Sequence, residues 1–187
     1  MTHSFLETFA AEACERGIAT VRYQFPFVEE GKKRPDPPSL AHAAVRAATA
    51  EALRLSPNLT LVAGGKSFGG RMTSQAQALS PLPGVKGLVF LGFPLHAAGR
   101  PARTRAEHLS AVTIPMLFLQ GTRDALADLE QLKPVVEELG DRATLKLFGG
   151  ADHAFHVPRR TGKTDADVRQ EMLDTLVRWI EGLDPPS

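Results

Sequence analysis

Leu59-Thr60-Leu61-Val62-Ala63-Gly64-Gly65-Lys66-Ser67-Phe68-Gly69-Gly70-Arg71 is the stretch on which the fold turns. Leu59 to Ala63 are apolar or β-branched and read as a buried strand. Residues 71–79, beyond the glycines, read as a helix. Between the two lies Gly65-x-Ser67-x-Gly69. That pattern alone is weak and occurs by chance. Set between a strand and a helix, it meets a mechanical requirement. The turn is tight and strained, small residues must flank the serine, and the serine hydroxyl is lifted above the end of a sheet. The same turn aims the Phe68 N–H, at the helix N-terminus, toward a bound acyl oxygen. A glycine-rich turn with an incidental serine is the plain alternative. A phosphate-binding loop is a second rival, because Gly65-Lys66-Ser67 resembles its end. That motif needs a glycine where Thr60 stands, so the rival fails. Lys66 is left with at most a local ion pair and no chemistry.

Outward from this turn, apolar strands alternate with helices. Residues 4–16 carry Phe5, Leu6, Phe9, Ala10 and Ala13 at helical spacing, with Gly17 as a stop. Cys14 falls among them and reads as a buried small hydrophobe. Residues 18–25 read as a strand. Residues 26–38 hold four prolines and a Gly-Lys-Lys-Arg run, and read as a solvated loop. Residues 39–55 are helical, with Ser39 as the expected cap. After the turn come a strand at Gly87–Gly92, a short helix at 103–110 and a strand at Pro115–Gln120. A helix at 126–139, a strand at Ala143–Phe148 and a helix at 165–182 capped by Thr164 complete the chain. Five strands separated by helices predict an α/β fold, with a mainly parallel sheet covered on both faces, in a single domain spanning 1–187.

The 187 residues are 43% hydrophobic and 23% charged, with a formal net charge of +1. That balance gives no field for nucleic acid or an anionic membrane. No apolar run is long enough to span a membrane. No secretory signal is visible at Met1-Thr2-His3, and Cys14 is the single cysteine, so a cytoplasmic location is expected. No spacing resembles a metal site, and neither metal nor cofactor is expected.

A serine hydroxyl needs a base to take its proton and a third group to orient that base. Asp124, in the loop after the strand at 115–120, is the expected acid. Asp128 is its competitor, read as lying inside the next helix. His153, after the Gly149-Gly150 turn, is the expected base, with Phe155 packing beneath its loop. His156 is the competitor, and Asp152 reads as a turn residue. Substrate choice is expected to rest on the loops around Phe27, His96 and 155–163, His156 included, although His96 reads equally as a packed loop histidine. The basic run 158–163 reads mainly as a solvated loop. His3, His42 and His108 show no partner pattern.

Five runs resemble small bacterial α/β-hydrolases distantly related to dienelactone hydrolases, with relatives among testis-expressed and chromatin-complex proteins. They are Arg22–Phe27, Gly64–Arg71, Gly92–His96, Gln120–Asp124, and Asp152–Phe155, in the family's order. The resemblance implies the α/β-hydrolase fold and the triad Ser67, Asp124 and His153, with Phe68 giving an oxyanion N–H. It names no substrate. In that family a mid-sheet strand and a His-Gly-x-Gly-like loop, which gives a second oxyanion N–H, precede the first helix. This sequence starts at the segment that resembles the one following that loop. Either Met1 is an internal methionine of a longer protein or the element is lost, and the first reading is preferred. The expectations are low stability, pairing through exposed strand edges as a homodimer, or poor hydrolysis, since one oxyanion donor is worth about 10²–10³-fold in turnover.

The activity expected is a serine hydrolase acting on a small-molecule ester or related acyl substrate. The alternatives are a non-catalytic interaction module that keeps the fold, and an acyl-transfer enzyme.

Overall fold

The computed structural model describes residues 4–183. His3 lies outside them. Four parallel strands lie in the order β1-β2-β3-β4: Leu61–Lys66, Val85–Leu91, Met116–Gly121 and Ala143–Phe148. Helices α1 (Ser4–Cys14), α2 (Pro26–Glu29) and α3 (Pro38–Leu55) precede β1. α4 (Phe68–Leu79) joins β1 to β2, and a 3₁₀ helix, Thr104–Ala111, lies between β2 and β3. α5 (Leu129–Leu139) joins β3 to β4, and α6 (Asp165–Glu181) follows β4.

The central strands β2 and β3 are buried on both sides because both faces are covered, whereas β4 at the edge alternates, with Thr144 and Lys146 exposed. Leu88, Phe90, Met116 and Phe118 pack with Val45 of α3, Met72 of α4, Leu109 of the 3₁₀ helix and Leu132 of α5. Val89, Leu91, Leu117 and Leu119, one residue out of phase, pack with Phe9 of α1 and Met172 and Leu176 of α6. α1 is also tied to α6 by charge: Arg169 holds Glu12 in a two-pronged bond at 2.7 and 2.8 Å. The predicted cap at Thr164 is a full capping box with Asp167.

The structure corrects four expectations. Residues 18–25 are extended but join no ladder, so the sheet has four strands where five were predicted. β-Branched and aromatic composition favours a strand only where a neighbour offers its backbone, and among the described residues none does. The segment's aromatic rings dock instead: Tyr23 and Phe25 pack against the α3–α4 side of the core. Within the predicted loop 26–38, Pro26 at the first helical position starts the one-turn α2. α3 begins at Pro38 with Pro37 before it, so Ser39 lies inside the first turn and caps nothing. Cys14 is exposed: α1 buries Phe9, Ala10 and Ala13, and the next position turns outward. No helix among the described residues is long and apolar enough to cross a membrane.

Two contacts fix neighbouring elements closely. At Gly64, which pairs with Val89 across the β1–β2 ladder, a Cβ would stand 2.0 Å from the Val89 carbonyl oxygen. Between α4 and the 3₁₀ helix, Ser74 Oγ lies 2.8 Å from His108 Nε2. Burial, then the nearby Arg71 and His42, push His108 down to about 4.

Gly64→Ala should break the β1–β2 contact at a backbone atom that cannot swing aside. The expected loss is about 2 kcal/mol or more, or insoluble expression, read by urea unfolding. His108 gives a pH signature. Its folded value lies below the ordinary 6.5, so below that pH the unfolded chain takes up a proton the folded chain refuses. Stability should therefore fall as pH drops from about 6.5 to about 4 and cease falling from this source below that. Thermal melts across this window should show a shallower slope for His108→Gln.

Candidate active site

Ser67 is the single residue between β1 and α4. Its backbone sits at φ 51° and ψ −117°, the left-handed side of the map, where a residue with a Cβ is strained by about 1–3 kcal/mol. Three packing facts hold it there. The Ser67 N–H donates to the Leu91 carbonyl at 3.2 Å. The Arg71 N–H closes the first helical turn onto the Ser67 carbonyl at 3.2 Å. Gly70 lies so near β1 that a Cβ on it would be 2.7 Å from the Gly65 carbonyl oxygen. Phe68, the first residue of α4, has its N–H at the helix N-terminus.

Asp124 and His153 meet at the same end of the sheet. His153 Nδ1 lies 2.7 Å from Asp124 Oδ2. The Asp124 side chain is wholly buried, while a quarter of the His153 side chain remains exposed. The proton positions follow from the neighbours. The Phe93 N–H donates to Gln120 Oε1 at 2.9 Å, so the Gln120 amide nitrogen faces Asp124 and donates to Oδ2 at 2.5 Å. The Leu126 N–H donates to Oδ1 at 2.8 Å. Asp124 thus acts as acceptor throughout, and His153 presents Nδ1–H to it. In the neutral imidazole the lone pair is then on Nε2.

Gly92 links this pair to Ser67. Its φ is +73°, its N–H donates to Leu119, and a Cβ there would lie 3.3 Å from His153 Nδ1 and 3.6 Å from Asp124 Oδ2. The neighbouring Leu91 carbonyl is the one that Ser67 binds. The two loops are also sewn together. Arg123 N–H donates to the Ala151 carbonyl at 2.8 Å, and Gly150 N–H to Thr122 Oγ1 at 2.8 Å. Asp152 is a turn residue: its Oδ1 accepts from the N–H groups of Ala154 and His156 at 2.8 and 3.0 Å. Phe155, at φ 65°, is buried beneath the loop against Phe5 and Phe148.

The sequence gives Lys66 no chemistry, yet it reaches under this loop. Its Nζ donates to the His153 carbonyl at 2.6 Å and lies 5.0 and 5.2 Å from the ring centres of Phe5 and Phe155. Burial lowers its pKa from the ordinary lysine value, against the pull of Asp124 and Asp152. Gln120 and Gly92 likewise carry no role that their sequence neighbours announce. The available signal for Gln120 was a polar side chain ending an all-apolar strand.

The remaining candidates are placed differently. Asp128 is not inside α5 but caps it, its side chain accepting from the Glu130 N–H. His96 is buried. Its Nδ1 lies 2.9 Å from the Ala97 carbonyl, and its Nε2 accepts from the Asp128 N–H at 2.8 Å, so both ring nitrogens are spent on backbone. His156 is exposed and paired with Asp165 at 2.9 Å, which raises its pKa. Phe27 does reach the turn: its ring meets Phe68 edge-on at 5.9 Å, beside Phe25. In the basic loop 158–163, Lys163 is paired with Glu171.

A parallel sheet whose strand turns through a strained serine into a helix, with a histidine–carboxylate pair in later loops at the same end, is the architecture of an α/β-hydrolase. Residues 1–181 match the alpha/beta hydrolase domain, and the chain belongs to that family. Among solved structures it is similar to an α/β serine hydrolase without a lid from Xanthomonas campestris. There it is 26% identical with a TM-score of 0.72, covering 100% of this chain and 77% of the other. An α/β serine hydrolase homologue from Coxiella burnetii matches at 22% identity and TM-score 0.71, covering 95% and 77%. A dienelactone hydrolase from Anabaena variabilis matches at 19% and 0.64, covering 92% and 78%. The two below 25% identity speak for the fold alone.

Lys66→Met should leave the His153 carbonyl without its charged donor and loosen the loop. Urea unfolding should register a loss of about 1–3 kcal/mol. Lys66→Arg, which keeps a charged donor, should recover part of it.

Proposed function

We propose that this chain is a serine hydrolase that cleaves a carboxylic ester or related acyl substrate, as one domain and without a cofactor. The observation that carries the proposal is the oriented His153: Asp124 takes its Nδ1–H at 2.7 Å, and Gln120 fixes which way Asp124 can be used. In the proposed reaction Ser67 Oγ attacks the ester carbonyl and His153 Nε2 takes the hydroxyl proton. Asp124 stabilises the imidazolium so formed. The Phe68 N–H donates to the oxyanion. Collapse expels the alcohol, which receives the proton from His153, and leaves an acyl group on Ser67. Water, deprotonated by the same nitrogen, then releases the acid and restores Ser67. The Phe25–Phe27–Phe68 rings offer the acyl or alcohol portion an apolar wall. A cytoplasmic site of action goes with this reading and rests on the single cysteine.

A fluorophosphonate probe, followed by intact-mass measurement, tests the nucleophile. The folded wild type should take up one adduct, and Ser67→Ala none. Ser67→Ala should also lose ester turnover by about 10³-fold or more. A folded wild type that fails to label, or labelling that persists in Ser67→Ala, would defeat the proposal and favour a non-catalytic module.

A further inference from the structure

Where α4 meets the 3₁₀ helix, each element brings one arginine, Arg71 and Arg105, and no acid matches them. The Ser74–His108 contact, at 2.8 Å, pins the two elements together. Arg71 lies three residues before Ser74, and Arg105 three residues before His108, so each stands one turn ahead of the pin on the facing side. Arg71 and Arg105 are both half-buried. Neither has a carboxylate within ion-pair distance among the described residues. The Arg71 Nε is fully buried and has no hydrogen-bond partner, a costly state for a guanidinium donor. The Arg71 guanidinium instead lies over the Phe68 ring, 5.8 Å from its centre. Burial, followed by the charge of Arg105, lowers the Arg71 pKa, and no carboxylate offsets either cation.

We propose that Arg71 and Arg105 form a site for one oxyanion group, a carboxylate or a phosphate, carried on the acyl side of the substrate. Two guanidinium groups offer parallel N–H donors, which suits a planar or tetrahedral oxyanion. An anion between them accepts from the terminal guanidinium nitrogens and cancels their repulsion. The distance from the reacting centre is set by the helix: Arg71 is four residues after Ser67, about 6 Å along α4. A short acyl chain attached to Ser67 and ending in an acid therefore reaches the pair across the Phe68 ring. The substrate class is then an acid-terminated acyl ester. The ester part rests on the Ser67 reading above, and the anion site does not.

The test separates the two. Calorimetric titration of the wild-type protein with glutarate, and separately with inorganic phosphate, measures the anion site without any turnover. Kinetics on mono-para-nitrophenyl glutarate and on para-nitrophenyl butyrate measure its use in hydrolysis. The wild type should bind at least one of the two anions, the tighter of them showing whether a carboxylate or a phosphate is the natural group. Arg105→Met should weaken that binding about tenfold and lower the ratio of kcat/KM for glutarate ester over butyrate ester about tenfold. Arg105→Lys should lose less of both, which guards against a loss that comes merely from misfolding. Wild-type protein that binds neither anion, or anion binding unchanged in Arg105→Met and in Arg71→Met, overturns the site. Hydrolysis of neither ester, with anion binding that Arg105→Met weakens, sinks the esterase reading and upholds the anion site.

Discussion

At Ser67 a buried parallel strand ends and a helix begins with no residue to spare. The first turn of α4 must therefore press back onto β1, and only backbone can occupy the gap. Gly70 meets the Gly65 carbonyl at a separation that excludes a Cβ, and a Cβ on Gly65 would stand 3.1 Å from the Gly69 and Gly70 backbone. The serine absorbs what curvature remains by taking a positive φ. Everything else at this end of the sheet is referred to that turn. Its N–H binds Leu91, Gly92 follows Leu91, and the His153–Asp124 pair rests on Gly92. A side chain at position 92 would crowd His153 Nδ1 at 3.3 Å and strain a backbone held at φ +73°.

The polar groups behind the turn form a directed chain. Phe93 N–H orients Gln120, Gln120 orients Asp124, and Asp124 orients His153. Each member has one sensible proton arrangement once the backbone donor is fixed, so imidazole tautomer traces back to a peptide N–H. Lys66 completes the support from below by holding the His153 carbonyl between two aromatic rings. A mobile ammonium in water would not hold a loop in register. One that is largely desolvated and confined by Phe5 and Phe155 does, because it has few other acceptors to choose.

Much of this was legible in the sequence where the determining residues are neighbours. The glycines around Ser67, the apolar strands, the Thr164 cap and the Asp152 turn all act within a few positions of themselves. What was not legible depends on distant partners. Lys66 and the carbonyl it binds are 87 residues apart, and nothing in Gly65-Lys66-Ser67 announces the reach. Gln120 stands 27 residues from the N–H that orients it. The segment 18–25 has the composition of a strand, but a strand is a relation between two segments, and composition describes one. Cys14 failed for a smaller reason: one helical position separates it from Ala13, and 100° of rotation carries it from core to solvent.

Charge is distributed unevenly about Ser67, and the asymmetry has a direction. On the Asp124 side every charge has a partner or a cage: the carboxylate accepts three donors, and Lys66 has a carbonyl and two ring faces. On the Arg71 side the arginines have one ring face and no carboxylate, and burial, then the charge of Arg71, pushes His108 down to about 4. A fold that satisfies its buried polar groups at one flank, and leaves two arginines without a carboxylate at the other, fits the oxyanion group proposed for the substrate. In that proposal the group stands one helical turn from the serine, so the far end of the acyl chain decides which ester is taken.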